Sequence, residues 1–561
     1  MHGAQTKTDS AEHEEMCGIV GIALEDGESV SLPIYYALYS LQHRGQESAG
    51  ISVVSSRMAD RYKHDNDNIR HGGKRVHHGI HSIHRHSITA LPIRKGVVRE
   101  IVKNAFSVKA GTADIQTMRG MGLVSEVFNS ENLMKLKGNI GIGHVRYSTT
   151  GASTIENAEP LVVDFRGGKI AIAHNGNLVN ALQLRETLKK EGRIFSSDTD
   201  TEVIAHLLVK GLMRNDLMSA LEYVMRTVVG SYSLTILLND ILIALRDPFG
   251  FRPLCVGILN DGGELCADIG TDIGNSVGES ACGIIFASES TALDTLGAKH
   301  VRDVQPGEAF ILRDGECERI QLCRAAKIAH CVFEYIYFAR PDSVIDGRLV
   351  YDVRMKIGER LAEEHPVDAD IVSPVPDSGI TFALGYAKRS SIEYLDAFIK
   401  NRYVGRTFIM PSQRTRNIAV RLKLNIVREN VRSKRIVLVD DSIVRGTTSK
   451  RIIARLRREG AKEVHLRIGS PPIIAPCYFG IDTPTKEELI ASKHSVEEIR
   501  EILGVDSIGY LSIEGLIDAI GIPYSDLCLG CLTGEYPVEI DEHDETKRKQ
   551  LRLSEFSAAT R

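Results

Sequence analysis

The chain has 561 residues, 43% apolar and 25% charged, with a formal net charge of -4 at pH 7. That length fits roughly two to four ordinary domains, and the composition is that of a globular chain. So small a charge gives no reason to expect a nucleic-acid or membrane partner, and no apolar run reaches the roughly eighteen residues that would span a bilayer. Residues 1–15, MHGAQTKTDSAEHEE, are polar and turn acidic toward their end. A secretory peptide needs an apolar stretch, and a transit peptide is Arg-rich and poor in acids, so the expected location is the cytoplasm. Ten cysteines in so long a chain do not make a disulfide framework. In a reducing compartment they are buried, metal-bound or catalytic.

From residue 17 to about 320, short β-branched runs such as 170–173 and 233–238 alternate with Gly and Asn turns. This predicts antiparallel sheets with helices packed outside. Within that stretch, residues 57 to about 112 carry His64, His71, His77, His78, His81, His84 and His86 among Arg, Lys, Gly and Ser. A His-rich tract can bind metal, but the expected reading is a solvated surface insertion with too few apolar residues to offset the entropy of ordering it. From about 330 to 515 the pattern becomes strand–loop–helix: 371–376 leads into a helix-like 379–388, and 436–439 leads through a Gly/Thr loop into 449–458. Alternation of this kind predicts a doubly wound parallel sheet. The tail from Asp541 is charged and expected to be frayed.

Met16-Cys17-Gly18-Ile19-Val20-Gly21-Ile22 sets a cysteine directly before a strand-like run. Downstream come Gln42-His43-Arg44-Gly45-Gln46, Gly143-His144-Val145-Arg146-Tyr147-Ser148-Thr149 and His174-Asn175-Gly176-Asn177. In type, order and rough spacing these motifs resemble the N-terminal-nucleophile (Ntn) glutamine amidotransferases, which implies a four-layer αββα domain whose Cys becomes residue one. The chemistry suits the residue types. A thiolate attacks the glutamine amide carbon, giving a thioester and ammonia, and the oxyanion needs preorganised donors. By resemblance the donors are Asn175 and Gly176. The substrate carboxylate goes to Arg146, with Arg44 also expected at glutamine, and the ammonium goes to an Asp. Ser197-Asp198-Thr199-Asp200-Thr201-Glu202 offers two candidates; Asp200 is chosen because its run is in phase with the helix pattern at 203–208, and Asp198 stays in reserve.

Arg435-Ile436-Val437-Leu438-Val439-Asp440-Asp441-Ser442-Ile443-Val444-Arg445-Gly446-Thr447-Thr448 is the most informative segment. A strand ends in two carboxylates, followed by a small-residue loop and a helix. Backbone N–H groups and Thr hydroxyls at a helix start suit a phosphate, and Gly446 lets the backbone approach it. Adjacent acids suit vicinal hydroxyls and hydrated Mg²⁺. The segment resembles the binding motif of the type I phosphoribosyltransferases, which assigns Asp440, Asp441, Ser442, Arg445, Gly446, Thr447 and Thr448 to phosphoribosyl pyrophosphate (PRPP). Lys400-Asn401-Arg402-Tyr403-Val404-Gly405-Arg406-Thr407 is basic, with a Gly to flex on, as expected of a lid over pyrophosphate, so Lys400 and Arg406 join the set. In Val375-Pro376-Asp377-Ser378, the resemblance places Ser378 with Asp440 and Asp441 around Mg²⁺.

Cys528-Leu529-Gly530-Cys531 has the spacing of a shared metal centre, weak by itself. His330-Cys331-Val332-Phe333 and Ala475-Pro476-Cys477-Tyr478-Phe479-Gly480 supply remote partners by resemblance. Four thiolates suit zinc as well as a 4Fe–4S cluster, and the resemblance favours iron–sulfur. Cys255, Cys266, Cys282, Cys317 and Cys323 read as buried, inert thiols.

Together the motifs resemble the iron–sulfur branch of the amidophosphoribosyltransferase family over nearly all of residues 16–540. The resemblance implies a leader at 1–16, a glutamine amidotransferase domain at 17–320 with the His-rich insertion, a phosphoribosyltransferase domain at 321–540 and a tail at 541–561. It implies ammonia passing internally from glutamine to PRPP in the first committed step of purine synthesis, a homotetramer, and purine nucleotides as feedback inhibitors. The leader would leave by autocatalysis, or translation would start at Met16 and that Met be removed. Two rivals stand: another amidotransferase sharing the glutaminase half, which would not need Asp440–Thr448, and a nucleotide-sensing regulator without chemistry, which would not need Cys17.

Overall fold

The computed structural model describes residues 16–24, 29–55, 114–147, 152–260, 281–324, 327–401, 424–481, 483 and 485–540. The leader ahead of Met16, the His-rich tract, Arg406 and the tail from 541 lie outside the described residues.

In the first half the strands in chain order are β1 (Gly18–Leu24), β2 (Ser48–Val54), β3 (Gln116–Met121), β4 (Ile140–Arg146), β5 (Leu161–Phe165), β6 (Gly168–Leu178), β7 (Gly230–Leu238), β8 (Ile241–Arg246), β9 (Cys255–Asn260), β10 (Ala281–Ala287), β11 (Lys299–Asp303), β12 (Glu308–Arg313) and β13 (Glu316–Gln321). One sheet runs β11-β9-β10-β1-β4-β2-β3 and the other β13-β12-β8-β7-β6-β5. Neighbours are antiparallel, as between β1 and β4 or β6 and β7.

The apolar run of β1 does not alternate with polar residues because both of its faces are covered. Ile19 and Ala23 point between the sheets, where they join Ala171, Ala173 and Leu237. Val20 and Ile22 pack outward with Ile34, Ala37 and Leu38 of helix α1 (Ser31–Ser40). A Cβ on Gly143 would lie 2.5 Å from Ile34, so glycine lets α1 sit close on β4. Helices α2 (Ala181–Lys190), α3 (Asp200–Leu212) and α4 (Leu217–Thr227) cover the outer face of the other sheet through Leu188, Val203, Leu207 and Leu221. The result is helix, sheet, sheet, helix: the four-layer αββα arrangement.

The second half is built on parallel strands β14 (Ile371–Pro374), β15 (Arg435–Asp440), β16 (Glu463–Ile468) and β17 (Ser507–Tyr510), hydrogen-bonded in that order. Helices α5 (Val350–Glu364) and α6 (Ile380–Ser390) pack on one face with Val372, Val437 and Val439. Helices α7 (Thr447–Arg458) and α8 (Val496–Leu503) pack on the other with Ile436, Leu438 and Leu466. Alternate residues of β15 thus serve opposite faces, as a doubly wound sheet requires. Among the described residues, no helix is long and apolar enough to cross a membrane.

Candidate active site

Cys17 stands at the head of β1, Arg146 ends β4, and Gly176 lies near the end of β6. These residues and Tyr147, Glu159, His174, Thr199, Asp200 and Thr201 line one small recess. The Cys17 thiol faces the Tyr147 carbonyl at 3.5 Å. Burial first, and then the Glu159 carboxylate, push that thiol up to about 12, against a counter-pull from Arg146. With Met16 still attached, the thiol is therefore protonated at neutral pH.

The Asn175 side chain is fully buried, and neither its oxygen nor its nitrogen has a hydrogen-bond partner. Such a group costs about 1–3 kcal/mol unless a ligand completes it. Gly176 has φ +156°, and a Cβ there would lie 2.1 Å from the Ser231 carbonyl oxygen. Only glycine lets this strand pass so close. Asp200, first residue of α3, accepts the Leu178 N–H at 2.8 Å. Asp198 is absent from the recess, and its N–H donates to Asn157.

Arg44 is expected at glutamine, and the structure places it beside the recess. It is not a wall of the recess: its Nε donates to the Cys17 carbonyl at 3.1 Å, and its two terminal nitrogens are held by Glu289 and Glu334. Buried and twice paired, it braces the backbone at Cys17.

Five residues of the recess, Tyr147, Glu159, His174, Thr199 and Thr201, were given no role in the sequence. Glu159 accepts the His174 N–H at 2.8 Å and the Thr201 hydroxyl at 2.6 Å. Burial pushes its carboxyl up to about 7, opposed by His174 and Thr201. Asn157-Ala158-Glu159-Pro160 has no motif character, and nothing local says that its carboxylate would reach β6 and α3 together.

The two halves meet behind this recess. Glu334 opens a π-helical turn, Glu334–Phe338, three residues after Cys331, and binds both Arg44 and Arg252. Arg252 also reaches the Met16 sulfur at 3.1 Å and the Phe479 carbonyl. Residues 478–480 back onto the end of β6: Tyr478 and Phe479 carbonyls accept from Asn177 and Ser231, and Gly480 packs on Gly176. The carbonyls of Tyr335 and Ala339 accept from Arg354 of α5, both at 2.8 Å. Burial pulls Arg354 down to about 10, with Asp441 the leading charge that opposes the fall. Hydrogen bonds thus run from the Cys17 carbonyl through Arg44 to Glu334, and the turn that Glu334 opens is tied to Arg354.

At the second site, Asp440 ends β15, and both acids are buried, 8% and 6% exposed. Asp440 accepts the Asp441 N–H at 3.0 Å, and Ser442 donates to Asp441 at 2.5 Å. Gly446, at φ +74°, turns the chain into α7, so Thr447 and Thr448 stand at a helix N-terminus. The loop holding Ser378 lies against the same strand end, since a Cβ on Gly379 would be 2.5 Å from the Val439 carbonyl oxygen. Lys400 stands at 2.5 Å from Asp377, and Arg445 at 3.6 Å from Glu488.

The cysteines gather from three segments. Cys331 and Cys528 are partners in a short parallel bridge, and the Cys531 carbonyl accepts from Ile474 and Ala475, just before Cys477. Cys477 packs with both surrounding clusters. Among the described residues, however, no three His, Cys, Asp or Glu side chains converge closely enough to hold a single metal ion.

Comparison with known proteins agrees with this geometry. A family model described as a glutamine amidotransferase domain matches residues 144–267. An amidophosphoribosyltransferase of Archaeoglobus fulgidus is 50% identical over 528 residues, covering 94% of this chain and 98% of that protein. A solved structure titled as the allosteric regulatory enzyme of purine biosynthesis superposes with a TM-score of 0.76 at 40% identity, covering 94% of this chain and 97% of the other. Another, the glutamine PRPP amidotransferase of Bacillus subtilis complexed with ADP and GMP, gives 0.75 at 41% identity, with 94% and 98% covered. With such identity across nearly the full length of each pair, the chain belongs to the amidophosphoribosyltransferase family.

Proposed function

We propose that this chain frees ammonia from glutamine at Cys17 and passes it to PRPP at Asp440–Thr448, giving phosphoribosylamine, glutamate and pyrophosphate. The observation that carries the reading is the pairing of a cysteine recess, backed by an unpartnered buried Asn175 amide, with a carboxylate pair above a helix N-terminus in one chain. Arg146 holds the substrate carboxylate and Asp200 its ammonium. The Cys17 thiolate attacks the amide carbon, while Asn175 and the Gly176 N–H take the oxyanion. Ammonia then displaces pyrophosphate at C1, where the second domain contributes positioning, charge neutralisation and exclusion of water. Lys400, Arg406, Arg445, Ser442, Thr447 and Thr448 hold the phosphates. Asp440, Asp441 and Ser378 would hold Mg²⁺, which neutralises charge on the leaving group.

A free α-amine titrates near about 7.7–8.0 and can accept the thiol proton, which an amide nitrogen cannot. Residue 16 must therefore be gone. Enzyme that releases pyrophosphate only with both glutamine and PRPP is expected to begin at Cys17 by intact mass and N-terminal sequencing. Fully active, glutamine-using protein that keeps Met16 would refute the nucleophile assignment.

Cys331, Cys477, Cys528 and Cys531 would hold a 4Fe–4S cluster that staples the C-terminal segment to the second domain. What supports the reading is that the four cysteines come together from three segments, with Cys331 and Cys528 paired across a bridge and Cys531 bonded to the segment before Cys477. Anaerobically prepared protein should hold about four iron and four sulfide per chain, and Cys528→Ser should lower both. Stoichiometric zinc without sulfide would contradict the cluster. The reading is completed by a cytoplasmic homotetramer inhibited by purine nucleotides; the last is supported by the ADP and GMP named with the Bacillus subtilis neighbour.

A further inference from the structure

We infer that Glu159 is a positioning residue of the glutaminase site, locking the strand that offers the oxyanion donors to the helix start that holds the substrate ammonium. The inference rests on reading the Cys17 recess as that site. Glu159 is 4% exposed, and its two oxygens serve two different elements. Oε2 accepts the backbone N–H of His174 at 2.8 Å, directly before Asn175 and Gly176. Oε1 accepts the Thr201 hydroxyl at 2.6 Å, directly after Asp200. A third contact closes the ring: His174 Nδ1 lies 3.1 Å from Thr201 Oγ1 and 3.6 Å from Asp200 Oδ1.

The direction of this chain follows from its ends. Burial opposes charge on His174, yet Asp200 and then Glu159 hold its imidazolium above the ordinary range. Nε2 faces the Ser231 carbonyl at 3.4 Å, and Nδ1 faces Thr201 Oγ1 and Asp200 Oδ1, so that in the doubly protonated ring Nδ1–H points at Thr201. The Thr201 proton must then go to Glu159. In its ionised form, above about pH 7, Glu159 offers acceptors only, so it can take the Thr201 hydroxyl and the His174 N–H together. Glutamine at 159 would set an NH₂ against one of these two donors. If it faced Thr201, the hydroxyl would have to donate to His174 Nδ1 instead, and the imidazolium beside Asp200 would be lost. His144 stands behind, its Nε2 at 3.5 Å from Glu159 and at 3.1 Å from the His174 carbonyl.

Glu159→Gln should lower kcat/KM for glutamine about tenfold to hundredfold, the range of a charge-assisted hydrogen bond. KM should rise through Asp200 and kcat should fall through the oxyanion strand. Synthesis from ammonium, which bypasses the recess, is the folding control. Thr201→Val breaks the same chain one step along, so it should reproduce the effect, and the double variant should be no worse than the worse single one. Labelling of Cys17 by a diazoketone analogue of glutamine should slow in parallel, while labelling by iodoacetamide, which needs neither anchor, should not. A glutamine kcat/KM within about threefold of the parent in either folded variant, or fully additive losses, would overturn the inference. Should Glu159→Gln fail to fold, Thr201→Val alone decides it. Failure of the underlying reading would look different, as glutamine use that survives Cys17→Ala.

Discussion

Cys17→Ala is expected to abolish glutamine-dependent synthesis, by about four orders of magnitude or more, while high ammonium still supports phosphoribosylamine formation. Without Sγ there is no thioester, and the remaining oxyanion donors stabilise an intermediate that no longer forms. The second site needs only ammonia. It lies across the π-helical turn Glu334–Phe338, whose contacts to the first domain run through the side chains of Glu334, Arg44 and Arg252. Arg44 touches the Cys17 carbonyl, which alanine keeps, so the seam between the halves is undisturbed. Glutamine-dependent and ammonium-dependent rates measured on one preparation separate the outcomes. Loss of both in a folded variant would show that the recess does not act as a separate glutaminase.

The opposite pattern is expected at the acidic pair. Asp440→Asn and Asp441→Asn should each lower both activities about a thousandfold, because glutamine-derived and added ammonia meet PRPP at the same carbon. Asparagine preserves shape, and at 440 it keeps an acceptor for the Asp441 N–H, which isolates the effect of charge. The change at 441 has a second consequence. Arg354 is buried, already pulled down to about 10, and Asp441 is the leading charge that compensates it. Asp441→Asn should therefore lower Tm more than Asp440→Asn does. A variant of either acid with normal ammonium-dependent turnover would remove the pair from the phosphoribosyl site.

Local chemistry carries much of this protein. The strand-to-loop-to-helix segment ending at Thr448 announces a phosphate site, because an acid pair, a left-handed Gly446 and a helix start are consecutive in the chain. The apolar run after Cys17 announces a central strand for the same reason. The helix beginning at Asp200 keeps the phase that selected Asp200 over Asp198, and the recess contains the first and not the second. Antiparallel sheets in the first half and a parallel sheet in the second follow from periodicity and element order, which are properties of neighbours along the chain, while the four-layer arrangement came from the family resemblance.

What tertiary structure decided is everything that depends on a partner far away in sequence. Arg44 is read from its motif as a residue of the glutamine site, and only the fold shows that Glu289 and Glu334, 245 and 290 residues further on, pair with it. Glu159 has no motif, and its meaning arises only when β6 and α3 bring His174 and Thr201 to its two oxygens. Likewise the Tyr478–Gly480 segment, next to Cys477, becomes a support for the end of β6 that carries Asn175 and Gly176 only because distant segments pack together. Sequence alone pointed to the kinds of chemistry to expect, since the motif around Cys17 and the Asp440–Thr448 segment are each contiguous. Structure decided which charges remain available for them, because burial and pairing are set by the packing of distant segments.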